Sequence, residues 1–146
     1  MIESAQKPLG PRVRIEQGPV RNFAAAMLDS SAAYQKGDLT GVVVPPTFPA
    51  VMEHWGRIDD LPGGPPPARK PRTGLHGEME LVYHRPVRVG DVLAPRERPV
   101  ESVEREGRRG GKMRFETTAT DWCDADGTPV VTVRSTMILM DALPPA

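Results

Sequence analysis

The chain has 146 residues, of which 38% are hydrophobic and 26% charged, and this composition suits one folded domain with one core. Its 19 basic residues balance 19 acidic residues, so it lacks the basic surplus that a generic nucleic-acid-binding protein needs to release counterions. The single cysteine, Cys123, excludes an intrachain disulfide, and no Cys and His set has the spacing of a metal site. The sequence therefore implies no nucleic-acid partner, no metal and no other cofactor.

Proline and glycine are concentrated in one segment, residues 61–74 (LPGGPPPARKPRTG). We therefore predict a single domain, residues 1–146, interrupted by one irregular loop. The first ten residues, MIESAQKPLG, contain no apolar segment that could serve as a signal peptide. The longest apolar runs are far shorter than the roughly 20 residues that cross a bilayer. We therefore expect a soluble, cytoplasmic protein that does not enter a membrane.

The first part of the chain predicts a short strand and a helix. Arg12–Gln17 alternates polar and apolar residues, which is the period of a strand. Gly18 and Pro19 then open a helix to about Leu28, because proline is favoured in a first helical turn. The residues after Leu28, Asp-Ser-Ser, end the helix by offering side-chain oxygens to the backbone.

A second, smaller helix begins at Thr47 or at the prolines before it. Phe48, Val51, Met52 and Trp55 have the spacing of a face that packs on a core. The first amides of a helix have no acceptor within it, so they attract negatively charged oxygens. Proline donates no N–H, which leaves the backbone amides of Thr47 and Phe48 as candidate donors.

After the loop, the chain predicts four strands with alternating or continuous apolar patterns. They are Leu75–His84, Asp91–Glu104, Lys112–Asp121 and Pro129–Met140. Pro95 and Pro99 indicate an edge or a bulge in the second of them, and Asp126-Gly127 is a hairpin signal. The last strand is the most apolar, so we expect both of its faces to be covered. An antiparallel sheet wrapped around one long helix is the α+β arrangement called the hot-dog fold.

Two segments of the chain stand out, residues 29–50, DSSAAYQKGDLTGVVVPPTFPA, and residues 75–92, LHGEMELVYHRPVRVGDV. In this order and at this spacing they resemble the MaoC-like hydratase and dehydratase family, including its accessory subunits of mycolic-acid dehydratases. The resemblance implies that the chain acts on acyl thioesters of coenzyme A or acyl carrier protein. It also implies water addition or removal at the α,β double bond, and pairing of the subunit into a double hot-dog dimer, with itself or with a related subunit.

The resemblance also assigns residues to a site. Asp29 occupies the position of the family's catalytic Asp, and Tyr34 occupies the position of its catalytic His. A phenol with a pKa near 10 is a poor base at neutral pH, so His76 is a reserve candidate for the base. The residues expected to bind the substrate, including an arginine for phosphate or carrier protein, are Val44, Pro46, Thr47, Phe48 and Arg85.

The resemblance leaves three functions open. The leading hypothesis is an (R)-3-hydroxyacyl thioester dehydratase or enoyl-thioester hydratase, or a subunit of one. The second is a non-catalytic accessory subunit that holds the acyl chain while its partner supplies the Asp/His pair. The third is a hot-dog thioesterase, in which Glu78 or Glu80 would activate water. Similarity of fold supports all three.

Overall fold

The computed structural model describes residues 10–53, 73–107 and 111–140. Within them the order of elements is a short strand, three helical segments and four long strands, as the sequence predicts apart from one additional helical turn. The elements are β1 (Val13–Arg14), α1 (Gln17–Ala26), a 3₁₀ helix α2 (Ala32–Gln35), α3 (Pro49–Met52), β2 (Thr73–Tyr83), β3 (Val92–Glu106), β4 (Lys112–Cys123) and β5 (Pro129–Met140).

The five strands form one antiparallel sheet in the order β1-β3-β4-β5-β2. The α+β class is therefore confirmed. Strands β3, β4 and β5 follow one another through hairpins, and Gly127 turns between β4 and β5 with a φ of 80°, which favours glycine. Strand β2, which follows the helices in the chain, pairs with the last strand, β5, and not with β3, its neighbour in sequence.

Helix α1 buries Val20 and Ala24, and Val20 belongs to the same core cluster as the sheet residues Trp122 and Val131. It begins one residue before the predicted Gly18 and ends at Ala26, earlier than predicted. The reason for the early end is Leu28, which takes a left-handed conformation with a φ of 56°. This conformation turns the chain back, so that the N–H of Asp29 donates to the carbonyl of Ala24 over 2.9 Å.

The predicted boundaries of the first strand and of the loop are corrected. Strand β1 covers only Val13–Arg14 of the predicted 12–17, because α1 already begins at Gln17. The predicted loop, residues 61–74, ends earlier, because Thr73 and Gly74 pair with β5. The remainder of that loop, together with Trp55 of the predicted second helix, lies outside the described residues.

Strands β2 and β3 both contain a bulge. In β3 the register shifts between Pro99 and Glu101, which confirms the bulge that its prolines predict. In β2 the shift lies between His76 and Glu78, around Gly77. A Cβ atom at Gly77 would lie 3.2 Å from the Ile138 side chain and from the Thr136 carbonyl, so any larger residue there would have to displace β5 or the Ile138 side chain by a few tenths of an ångström.

The core lies between α1, α3 and one face of the sheet. Its largest fully buried side chains include Trp122 and Phe48, and the ring of Phe48 meets that of Phe23 edge-on, with 5.5 Å between centroids. Glu53, just after α3, accepts hydrogen bonds from Thr120 Oγ1 and Trp122 Nε1, each over 3.1 Å. These bonds join the end of α3 to β4.

The expectation that β5 is covered on both faces holds only for its beginning. Residues 130–133 are buried, whereas residues 134–140 are half-buried or exposed. The helices are short compared with the strands that they cover, since α1 has 10 residues and α3 has four, whereas β4 and β5 have 12 each. The predicted long central helix is therefore a short one, and β5 is covered on both faces only at Val130–Val133.

Removing the Phe48 ring should destabilise the fold strongly. The side chain is fully buried, so Phe48→Ala should lower the free energy of unfolding by about 3–5 kcal/mol, measured by urea denaturation. Val100→Ala is the control, because Val100 is 39% exposed and should change that free energy by less than about 0.5 kcal/mol. An equal loss for the two variants would contradict the assignment of Phe48 to the core.

Candidate functional site

The two segments that carry the family resemblance are hydrogen-bonded to each other. Residues 41–44 run beside residues 87–89: Gly41 N–H donates to Val89 O, Val89 N–H to Val42 O, and Val44 N–H to Val87 O, over 2.9–3.0 Å. Val43 and Arg88 form a bridge at the centre of this pairing. The loop that follows Asp29 is therefore fixed to the turn between β2 and β3.

Arg85 is part of the turn itself. Its Nη1 donates to Asp91 Oδ2 over 2.8 Å, and the same carboxylate oxygen accepts the backbone N–H of Arg88 over 2.9 Å. Arg88 Nη1 in turn donates to the carbonyl of Gly41 over 2.8 Å. Arg85, predicted to bind substrate, thus serves here to hold the turn closed, and it remains 42% exposed.

Asp29 lies directly after the left-handed Leu28 and is held by the next turn of the chain. Its Oδ1 accepts hydrogen bonds from the backbone N–H and the hydroxyl of Ser31. These two bonds lower the pKa of the Asp29 carboxyl below its usual 3.8, the hydroxyl bond having the larger effect. Asp29 is therefore an anion at neutral pH, and an anion cannot act as a general acid.

The phenol of Tyr34, in α2, is hydrogen-bonded to a backbone carbonyl and is not arranged to act as a base. It donates to Val43 O over 3.1 Å. Burial, and then the negative charge of Asp29, raise the pKa of Tyr34 above 10.0. The neutral phenol therefore favours the folded state below pH 10, and this contribution is lost as the pH rises through the pKa of the folded protein. Tyr34 cannot take a proton from water at neutral pH.

Tyr83 joins this site although the sequence did not single it out. It is the last residue of β2, and its phenol donates to the carbonyl of Pro46 over 2.6 Å. Burial and the neighbouring Tyr34 raise its pKa. In the sequence, Tyr83 continues the apolar alternation of Met79 and Leu81, so the pattern predicts a core residue. Only the fold reveals that its hydroxyl reaches the Pro-Pro-Thr-Phe segment.

The predicted substrate-binding segment is divided between core and surface. Val44 and Phe48 are buried, whereas Pro46 and Thr47 are exposed. The Phe48 N–H donates to Pro45 O over 2.9 Å, so it is used in a turn and does not remain for a ligand. The N–H of Thr47 has no acceptor within the described residues, which leaves it as the donor available at this site.

The structure does not bring His76 to this site. Tyr83 follows His76 by seven residues along β2, which corresponds to roughly 23 Å at about 3.3 Å per residue. Glu78 and Glu80, the thioesterase candidates, line a groove of about 530 Å³ on the sheet. Glu80 Oε2 accepts a hydrogen bond from Arg134 Nη1 over 3.1 Å there. Neither carboxylate contacts Asp29 or Tyr34 in the described hydrogen bonds.

The contacts of His84 and Cys123 indicate structural roles for both side chains. Thr132 Oγ1 donates to Asp121 Oδ1 over 2.7 Å, so the Nε2 of His84, 3.0 Å from the same hydroxyl, is the donor in that pair. Arg98 Nε completes this chain of bonds at Asp121 over 3.2 Å. The thiol of Cys123 is buried, and burial raises its pKa, which disfavours the thiolate that a nucleophile needs.

Two further features of the described part of the chain bear on function. No group of three or more His, Cys, Asp and Glu side chains in that part is arranged to hold a metal ion. Among the helices found there, none combines the length and the apolar character needed to cross a bilayer.

Residues 9–133 match the FAS1-like dehydratase domain region, and the chain belongs to this family. Two relatives are UPF0336 proteins. One, from Saccharopolyspora erythraea, is 28% identical over 90% of this chain and 84% of its own length. The other, from Clavibacter michiganensis, is 32% identical over 82% of this chain and 80% of its own. The matched residues include both segments from which the resemblance was inferred.

Solved structures with the same fold include dehydratases. The chain resembles a chain of the HadBC (3R-hydroxyacyl-ACP dehydratase) complex of Mycobacterium tuberculosis with a TM-score of 0.64, at 20% identity over 91% of this chain and 92% of that one. For the ChsH1-ChsH2 complex of the same organism, the TM-score is 0.67 at 18% identity, over 94% and 84%. The predicted hot-dog fold is therefore confirmed.

The coupling between Asp29 and Tyr34 can be measured. Asp29→Asn should lower the pKa of Tyr34, because the nearby negative charge is removed, but leave it above 10.0 because burial remains. Carbon-13 NMR of labelled tyrosine, titrated to alkaline pH, measures each phenol separately. Asp38→Asn is the matched control, since Asp38 is also bonded to a residue two positions on, Thr40, and does not affect Tyr34. Equal pKa changes in the two variants would contradict the coupling.

Proposed function

We propose that this protein is the acyl-thioester-binding subunit of a heteromeric (R)-3-hydroxyacyl thioester dehydratase, or enoyl-thioester hydratase. A related hot-dog subunit would pair with it and supply the Asp/His pair that activates water. The substrate is an acyl-CoA or an acyl carrier protein thioester. This proposal combines the first two hypotheses from the sequence, a subunit of the dehydratase and a non-catalytic accessory subunit. The chain would be a component of the enzyme that binds the substrate but does not carry the general base.

The state of Tyr34 is the observation that carries this proposal. Hydration of an enoyl thioester requires a group that removes a proton from water near neutral pH. At the position of the family's His, this chain has a phenol whose pKa is raised and whose proton is donated to Val43 O. Asp29 next to it is ionised and satisfied by Ser31. Neither Tyr34 nor Asp29 is therefore suited to remove a proton from water, which supports a partner subunit as the source of the base.

The same loop retains what binding requires. Pro46 and Thr47 are exposed beside the buried Phe48, and Thr47 N–H has no acceptor in the described part of the chain. A backbone donor of this kind suits a thioester carbonyl, on whose oxygen negative charge develops during the reaction. Complexes of two different subunits among the structures of the same fold, HadBC and ChsH1-ChsH2, support pairing with a related subunit.

Hydration of crotonyl-CoA, followed by loss of its enoyl-thioester absorbance, tests the proposal. The purified chain alone should be no faster than buffer. Its complex with a co-expressed hot-dog subunit that carries an intact Asp/His loop should hydrate the substrate. Replacing that subunit's His by Ala should lower kcat about 10²–10⁴-fold, as expected for a general base.

Activity of the chain alone would contradict this division of labour. If Asp29→Asn then lowered the activity of the isolated chain, the chain would itself be the catalytic subunit and would use a different set of catalytic residues from the Asp/His pair. A complex that releases free coenzyme A from crotonyl-CoA, rather than forming the 3-hydroxyacyl thioester, would instead favour the thioesterase hypothesis.

A further inference from the structure

We propose that Tyr83 is a positioning residue that orients and polarises the backbone N–H of Thr47, through which this chain binds the carbonyl oxygen of the acyl thioester. This inference rests on the proposed function, because it specifies how the thioester group is held. It begins with the turn in which Thr47 lies and with the position of the Tyr83 phenol behind that turn.

Thr47 N–H belongs to the central peptide group of a β-turn. The bond from Phe48 N–H to Pro45 O closes the turn over 2.9 Å, and Pro46 and Thr47 are its two central residues. That bond uses the two outer peptide groups and leaves the central Pro46–Thr47 group without a partner inside the turn. Because Thr47 is also exposed, and no residue in the described part of the chain accepts its N–H, that N–H can donate to a ligand.

Tyr83 holds the opposite end of that same peptide group. Its phenol donates to Pro46 O over 2.6 Å, and the Pro46–Thr47 bond is trans. In a trans peptide group the C=O and the N–H lie in one plane and point in opposite directions. A hydrogen bond that fixes the direction of the Pro46 carbonyl therefore fixes the direction of the Thr47 N–H.

The same hydrogen bond makes Thr47 a stronger donor. Hydrogen bonds in a chain polarise one another, so an amide whose carbonyl accepts a bond donates more strongly through its N–H. The phenol must be neutral to donate, and burial followed by the influence of Tyr34 raises the pKa of Tyr83 above 10.0. The donor is therefore present throughout the neutral pH range.

Comparison with Tyr34 shows why the role falls to Tyr83. Tyr34 also donates to a carbonyl, that of Val43. The N–H of that peptide group is Val44 N–H, which already donates to Val87 O over 3.0 Å. Of the two phenols, Tyr83 is the one that acts on a peptide group whose N–H is still available.

The experiment uses the two-subunit complex and crotonyl-CoA labelled with carbon-13 at the thioester carbonyl. Infrared difference spectra report how strongly the bound carbonyl is polarised, because a stronger hydrogen bond shifts its stretching band to lower wavenumber. Tyr83→Phe should reduce that shift and lower kcat about 10- to 100-fold, less than the 10²–10³-fold loss from removing an oxyanion donor outright. KM should change much less than kcat.

Thr117→Val is the control. This substitution also removes one hydroxyl hydrogen bond, the 2.8 Å bond to Thr136. That bond joins β4 to β5 and does not involve the turn at Pro46 and Thr47. The substitution should leave the carbonyl band and kcat as in the wild-type complex. 3-Fluorotyrosine introduced at position 83 keeps the size of the side chain and makes its phenol a stronger donor, so the carbonyl band should move further to lower wavenumber than in the wild-type complex.

The outcomes separate this inference from the function on which it rests. An unchanged carbonyl band in both Tyr83 variants, with normal binding of crotonyl-CoA, would overturn the role of Tyr83 and leave the proposed function standing. A loss of activity through KM or assembly alone, with the band unchanged, would mean that Tyr83 only supports the fold. If the wild-type complex did not bind crotonyl-CoA, the proposed function would fail, and this inference with it.

Discussion

The site depends on the hydrogen bonds that join residues 41–44 to residues 87–89. These segments are far apart in the chain, and their pairing brings the loop after Asp29 to the turn that follows β2. The ion pair of Arg85 with Asp91 keeps that turn closed, and Arg88 reaches back to the Gly41 carbonyl. One edge of the loop backbone is fixed by its pairing with residues 87–89. The carbonyls of Val43 and Pro46 are therefore held in place to accept hydrogen bonds from Tyr34 and Tyr83.

The chemistry of the site is that of hydrogen-bond donors rather than of proton transfer. Asp29 is stabilised as an anion by Ser31, and both phenols have raised pKa values and donate to carbonyls. Such groups hold a backbone and favour a partly negative oxygen, but they do not remove a proton from water. In a family of dehydratase domains, this arrangement is the basis on which we propose that the chain binds substrate while a partner subunit removes the proton.

Local patterns predicted the elements well and their ends less well. The strict alternation of Lys112–Asp121 predicted β4, and Pro95 and Pro99 predicted an irregular β3, since both depend on neighbouring residues alone. The end of α1 was not predictable, because it depends on Leu28 taking a left-handed conformation that leucine seldom adopts. The coverage of β5 depends on how far the short helices extend over the sheet, which no strand pattern contains.

The sequence by itself determined the class of the fold and the family, because these are properties of residue type and order, and its resemblance to the family is what assigns Tyr34 to the position of the family's His. Only the tertiary structure decided which side chains meet. It separated His76 from the site along the length of β2 and buried Phe48 in the core. It added Tyr83 to the site, because the Tyr83 hydroxyl donates to Pro46 O. The alternation of β2 predicts only that Tyr83 is a core residue. The physical reason is that a phenol is both a core side chain and a hydrogen-bond donor, and only the position of an acceptor such as Pro46 O distinguishes the two roles.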